Sequence, residues 1–373
     1  MATDSSNYRT KPAPLPSLNR RDFLMLTAAG AAMSWTSNGG AAEVPRKPQP
    51  GAPKESDIRL PPDGKMPTRA LGRTGVSVSL LGVGGFHLGL AESDAEATRI
   101  VRTAVDHGVT FLDNCWDYND GESHRRMGQA LRDGYRKKVF LMTKIDGRTR
   151  AAAAQQIEQS LRDLETDVID LVQIHEVIRM SDPDRVFGPD GAVEALIAAR
   201  KAGKIRFIGF TGHKSAEIHL AMLDKAKANG FRFDTVQMPL NVMDAHHDGF
   251  QKKVLPVLIK EQIGVLGMKP LGSGMFLQSA PVTSGQLTPT DCLHYAMSLP
   301  TSVVITGCDT MGILKQGLDA AYRFTPRSQE WMQRTLAKTS RVADAGWEKY
   351  KLSDVFDGTA KHPWWLESAS LKK

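Results

Sequence analysis

From Leu80 onward the chain repeats one pattern eight times: a short apolar run, a turn, then a longer segment with apolar residues at helical spacing. The runs span residues 80–86, 110–115, 139–145, 169–175, 205–211, 233–239, 264–268 and 302–307. They are apolar on consecutive residues, as expected of strands covered on both faces of a parallel sheet. Helices are expected at 94–107, 122–132, 151–164, 193–201, 216–227, 250–261, 289–298 and 312–322. Ser93 can cap the first of them and Gly108 can end it. Eight such units, spread over residues 66–324, match the count and size of an α/β (β/α)8 TIM barrel. A doubly wound sheet fits less well, because the first strand–helix turn, Gly82-Val83-Gly84-Gly85, lacks dinucleotide-fingerprint spacing.

An N-terminal hairpin is expected at 68–79, turned by Gly72 and Gly75. Residues 325–373 form a C-terminal helical extension, with a helix at 329–342 and Trp364-Trp365 in its tail. We expect that segment to cross the barrel near its open end.

In a barrel, side chains at the C-terminal ends of the strands converge on one mouth. Asp113 ends the second strand, Tyr118 follows it, Lys144 ends the third and His175 ends the fourth. Taken singly, Asp113 could cap a turn, Lys144 could be a solvated strand end, and His175 a satisfied histidine beside Glu176. Three consecutive strands that end in ionisable groups point to chemistry. Asp113 can hold the Lys144 ammonium, and Lys144 can stabilise the Tyr118 phenolate and lower its pKa. Tyr118 can pass a proton to a developing alkoxide, and His175 can orient a carbonyl oxygen. No step in that scheme calls for a metal.

The segments 110–118 (TFLDNCWDY), 140–144 (FLMTK) and 170–175 (DLVQIH) resemble the three catalytic motifs of the aldo-keto reductases, in order. The resemblance covers residues 66–324 and places the family's tetrad on Asp113, Tyr118, Lys144 and His175. It implies a nicotinamide-dependent oxidoreductase, NADP(H) or NAD(H), that transfers hydride to or from an aldehyde or ketone with Tyr118 as general acid/base. It also implies a cofactor cradle of Thr211, Gly212, Gln237, Met268, Lys269, Pro270, Leu271, Gly307, Cys308 and Gln316. Departures stand out. Gly212 lacks the carboxamide that usually grips the nicotinamide, Met268 replaces a stacking tyrosine, and Gly317 replaces an asparagine. No Lys or Arg lies between Thr306 and Leu314 to meet a 2′-phosphate, and Asp309 would repel one if it pointed there. His213 is a candidate to compensate for Gly212. Phe86 and Trp116 are candidates for substrate-pocket walls or for core packing. The altered cradle motivates an alternative, a nucleotide-binding regulatory or partner subunit with little turnover.

The net charge of +7 is scattered, and no basic stretch carries interleaved aromatics, so nucleic acid is not expected as a partner. Cys115, Cys292 and Cys308 form no CxxC pair, which argues against zinc, an iron–sulfur cluster and a disulfide framework. His246-His247 are adjacent, point apart and have no suitably spaced third ligand. At the N-terminus, Asn19-Arg20-Arg21-Asp22-Phe23-Leu24 precedes a modest apolar segment too short to span a bilayer. Residues 1–42 resemble a twin-arginine export signal, with Gly40-Ala41-Ala42 as the cleavage region. Residues 43–65, rich in Pro, Lys and Asp, form a linker. The expected location is periplasmic or otherwise exported, with the translocation machinery a partner in transit; a chance Arg-Arg pair would make it cytoplasmic. Oligomeric state leaves no trace in the sequence.

Overall fold

The computed structural model describes residues 65–247, 249–343, 345–352 and 356–366. The expected signal segment and almost all of the linker lie outside these.

Strands β1 (Thr68–Ala70) and β2 (Ser77–Ser79) pair antiparallel, Thr68 opposite Ser79. Eight parallel strands follow: β3 (Leu81–Gly84), β4 (Phe111–Asp113), β5 (Phe140–Ile145), β6 (Ile169–Ile174), β7 (Ile205–Thr211), β8 (Thr235–Pro239), β9 (Gly264–Met268) and β10 (Val303–Gly307). Each pairs with its neighbour in sequence, and β10 closes the barrel on β3, Thr306 beside Val83. The expected (β/α)8 architecture is therefore present. It leaves none of the eight barrel strands with an unpaired edge.

Two apolar layers explain the closure. Inward-facing Phe111, Phe140, Met142, Leu171, Leu266, Val303 and Ile305 fill the barrel, and Leu71 and Val78 of the hairpin plug its lower end. Phe140 stacks between Phe111 and Phe207, with ring centroids 5.5 and 6.0 Å away. Outward-facing residues such as Leu112, Leu141 and Val172 pack under the helices. Burying each such side chain contributes about 1.5–3 kcal/mol.

The helices start where capping chemistry allows. The Ser93, Thr149 and Ser215 side chains accept from backbone N–H groups of the first turn, and Thr288 forms a capping box with Asp291. Two expectations need correction. The single helix expected at 250–261 is two pieces, Phe250–Lys253 and Leu255–Lys260, because Pro256 has no N–H to continue the first. The segment after His175 contains the helix Asp182–Phe187, which is not among the eight expected helices, with Pro183 in its first turn. The extension holds the helix Gln329–Thr339, slightly shorter than expected, and its last described residues cover the barrel mouth.

Candidate active site

Asp113 and Lys144 lie on adjacent strands, and both are buried. Lys144 Nζ forms a close ion pair with Asp113 Oδ1, donates to Asn114 O at 2.8 Å, and donates to the Tyr118 hydroxyl at 3.3 Å. The other Asp113 oxygen, Oδ2, accepts from Gln237 Nε2 at 2.9 Å. Tyr118 sits in a turn, its N–H donating to the Cys115 carbonyl at 3.3 Å, and the chain beyond it turns sharply, with Asn119, Asp120 and Gly121 all at positive φ. Asn and Asp tolerate that conformation through local hydrogen bonding. The Tyr118 ring meets Phe86 and His175 edge to face, at 5.4 and 5.7 Å.

The structure thus unites the four residues read from the strand ends, but it reverses one electrostatic expectation. Burial, followed by the charges of Asp113, Asp117 and Glu176 and by the neighbouring Cys115 thiol, pushes the Tyr118 phenol well above its usual pKa. Lys144 does not overcome them. The phenol is held protonated, ready to donate.

His175 has a partner that the sequence reading missed. Its Nδ1 lies 2.9 Å from Asp146 Oδ1, and Asp146 Oδ2 accepts from Trp116 Nε1 at 2.7 Å. Burial alone would depress the imidazole. The charge and hydrogen bond of Asp146, with Glu176 and Asp117, outweigh it and hold His175 above its ordinary value. Arg148, fully buried, donates to the His175 and Glu176 carbonyls at 2.7 and 2.9 Å and pairs with Asp182. Cys115, Asp117, Asp146 and His175 bring one donor atom each within 4.8 Å of one another. These atoms are bonded among themselves: the Cys115 thiol donates to Asp117 at 3.1 Å and lies 3.4 Å from His175 Nδ1. Asp146 and Asp117 were legible in principle, as carboxylates within two residues of a strand end or of Tyr118.

The nicotinamide end of the expected cradle fits a carboxamide. Gln237 is buried with Oε1 unpartnered, an acceptor for an amide N–H. A Cβ on Gly212 would collide with the Val177 carbonyl oxygen, so this backbone excludes the family's longer residue there. Beside it, His213 is buried with Nε2 unpartnered. Thr211 Oγ1 lies 4.0 Å from Met268 Sδ, which places both on one wall. Lys269, at φ 55°, holds Nζ 5.0 and 5.1 Å over the Tyr350 and Phe356 rings. Burial lowers its pKa to about 8. Pro270 is buried, and Leu271 leads into the turn Gly272–Gln278.

The nucleotide end fits a 2′-phosphate poorly. Gly307 is required because a Cβ there would strike the His87 ring. Asp309 Oδ1 is buried without a hydrogen-bond partner, and its charge acts on His87. Cys308 is a fully buried thiol that burial pushes up to about 12, and Gln316 is exposed on the helix Met311–Tyr322. Phe86 is 46% exposed and flanks Tyr118, as a pocket wall would. Trp116 packs on Trp365 at 4.9 Å, so tail and wall are one surface.

The extension closes the mouth through polar contacts with the loop after β6. Gly358 N donates to Glu176 Oε2 at 2.6 Å, and Arg179 pairs with Asp357 and donates to Thr359 Oγ1 at 2.7 Å. Arg148 N donates to Trp365 O at 2.8 Å.

Known proteins share these features. The model of the family described as Aldo/keto reductase family matches residues 80–306. L-galactose dehydrogenase of Arabidopsis thaliana is 30% identical over 232 residues, 58% of this chain and 69% of that protein. Aldo-keto reductase AMT2 of Alternaria alternata is 27% identical over 249 residues, 55% of this chain and 65% of that protein. The chain therefore spans about two thirds of the length of these curated relatives. In fold it is similar to the holo form of aldo-keto reductase AKR11C1 from Bacillus halodurans. The TM-score is 0.62 at 22% identity, over 73% of this chain and 96% of that one.

Proposed function

The chain belongs to the aldo/keto reductase family, whose members carry out NAD(P)H-dependent oxidoreduction of carbonyls, and from that premise we propose a carbonyl reductase or alcohol dehydrogenase with Tyr118 as its general acid/base. The observation that carries this reading is the Lys144 ammonium, set between the Asp113 carboxylate and the Tyr118 hydroxyl at the barrel mouth. When bound, the nicotinamide supplies or accepts the hydride. Tyr118 gives its proton to the carbonyl oxygen as negative charge develops there, and Lys144 stabilises the phenolate left behind. His175 orients the oxygen. In the reverse direction the phenolate takes the alcohol proton. Gln237 and Thr211 are the residues placed to hold the carboxamide, Met268 and Lys269 to line the ring and its linkage, with NADP(H) or NAD(H) as cofactor.

The substrate is a small aldehyde or ketone, or the matching alcohol. Similarity to a sugar dehydrogenase makes aldoses and their lactol forms the first panel to try. Tyr118→Phe should lower kcat by about 10²–10⁴-fold, with the dissociation constant for nucleotide unchanged. An unchanged rate would remove Tyr118 from the mechanism.

For the whole chain we propose a signal segment at 1–42, a linker at 43–65, the barrel at 66–324 and the extension at 325–373. Paired arginines before a weakly apolar run support twin-arginine export to the periplasm. A reporter fused to residues 1–42 should appear outside the cytoplasm and stay inside when Arg20 and Arg21 are changed to Lys. Retention of the unaltered fusion would overturn the assignment.

A further inference from the structure

We infer that Asp146 is the positioning residue for His175, fixing its ring with Nδ1 protonated and Nε2 turned toward the substrate oxygen; this rests on the reductase reading above. A carboxylate only accepts hydrogen bonds, so the His175 nitrogen facing Asp146 Oδ1 at 2.9 Å carries a proton. Nδ1 is thereby occupied, and Nε2 is left without a protein partner among the described residues.

Asp146 is unable to swing away. It is fully buried, and its second oxygen accepts from Trp116 Nε1 at 2.7 Å. Its backbone N–H donates to Gln156 Oε1 at 2.8 Å, and its carbonyl accepts from Arg148 Nη1 at 2.8 Å. Arg148 Nη2 also donates to the His175 carbonyl at 2.7 Å, so one guanidinium ties both backbones together.

The charge state has a directional consequence. As imidazolium, His175 offers Nε2–H as a donor to a carbonyl oxygen, which suits reduction. Once neutral, it keeps the proton on Nδ1 against Asp146, and Nε2 becomes an acceptor, suited to an alcohol hydroxyl. Asp146 therefore sets the pH at which the site passes from favouring reduction to favouring oxidation. The groups that face His175 are Cys115, Asp117 and Tyr118 after β4, Asp146 and Arg148 after β5, Glu176 beside it, and His213 after β7. Three of these are carboxyl groups, but only Asp146 touches the ring through a hydrogen bond.

The test combines kinetics with imidazole 15N NMR on the full chain, His175 being assigned by loss of its signals in His175→Asn. Asp146→Asn should lower the His175 midpoint and move the pH midpoint of carbonyl reduction down with it. Neutral-pH kcat for reduction should fall about tenfold to hundredfold, alcohol oxidation should fall less, and nucleotide affinity should hold. Asp146→Glu should move both midpoints back toward wild type. A folded Asp146→Asn protein with an unshifted His175 midpoint would overturn the inference. Should that variant not fold, the wild-type titration decides. Neutral His175 protonated on Nδ1 supports the assignment, and protonation on Nε2 sinks it. Because the NMR readout needs no turnover, failure of the reductase reading would show separately, as absent turnover across the carbonyl panel.

Discussion

Gln237 and Asp113 lie on opposite sides of the barrel, on β8 and β4, yet Gln237 Nε2 donates to Asp113 Oδ2 at 2.9 Å. The residue expected to grip the nicotinamide is therefore also a ligand of the carboxylate that anchors Lys144. Cofactor cradle and proton-transfer group share one hydrogen-bonded chain: Gln237, Asp113, Lys144, Tyr118.

Gln237→Met keeps the side-chain volume and removes both functions of the amide. Nicotinamide nucleotide affinity should fall about tenfold, equivalent to ~1.4 kcal/mol. Asp113 also loses one of its bonds, so kcat should fall as well. Fluorescence titration of nucleotide and steady-state kinetics read the two effects.

Lys144→Met leaves the Asp113 charge buried with its ion-pair partner gone. The protein should lose about 3–5 kcal/mol of stability. Asp113→Asn combined with Lys144→Met removes the orphaned charge and should recover a large part of that loss. Urea unfolding of the two single variants and the double variant closes the cycle. Simple additivity would mean that the pair is not coupled.

Glu176 gives the fold a pH signature. Burial pushes its carboxyl from 4.5 up to about 7, partly offset by the charge of His175. A carboxyl raised on folding binds more protons in the native state than in the unfolded chain, so stability falls as pH rises through that window. Between pH 4.5 and about 7 the wild type should lose stability relative to Glu176→Gln, which removes the titration. Thermal melts at pH 5, 6 and 7 should show the two curves diverging in that sense. The Glu176–Gly358 contact should loosen the extension when broken, seen as faster amide exchange near Gly358.

Gly212→Ala should destabilise the protein by about 1–3 kcal/mol, since the new methyl meets the Val177 carbonyl instead of open space. A melting temperature equal to wild type would show that the backbone yields there. Gly212→Asn would then become a way to restore the family's usual grip on the nicotinamide.

Much of the site is written locally. Asp113 and Lys144 are placed by strand ends, and the apolar run before each fixes where its strand stops. His175 and Tyr118 follow from the same count. Asp146 escaped notice because the residue after a strand end is loop, and only the fold shows that this loop returns to the His175 ring. The lowered Tyr118 pKa is expected from one neighbour, Lys144, whereas three carboxyl groups, Asp113, Asp117 and Glu176, act together with burial in the folded chain.

The order of apolar runs and helical segments by itself determined the barrel, because the period of buried side chains is a local property of strands and helices. That order also put the ionisable residues on one rim. Tertiary structure alone decided that Gln237 reaches Asp113 across 124 residues and that Gly358 meets Glu176 across 182. It alone decided how deeply the phenol, imidazole and carboxyl groups at the barrel mouth are buried. Such contacts and the dielectric around them depend on which distant segments share a volume, and no short stretch of sequence carries that information.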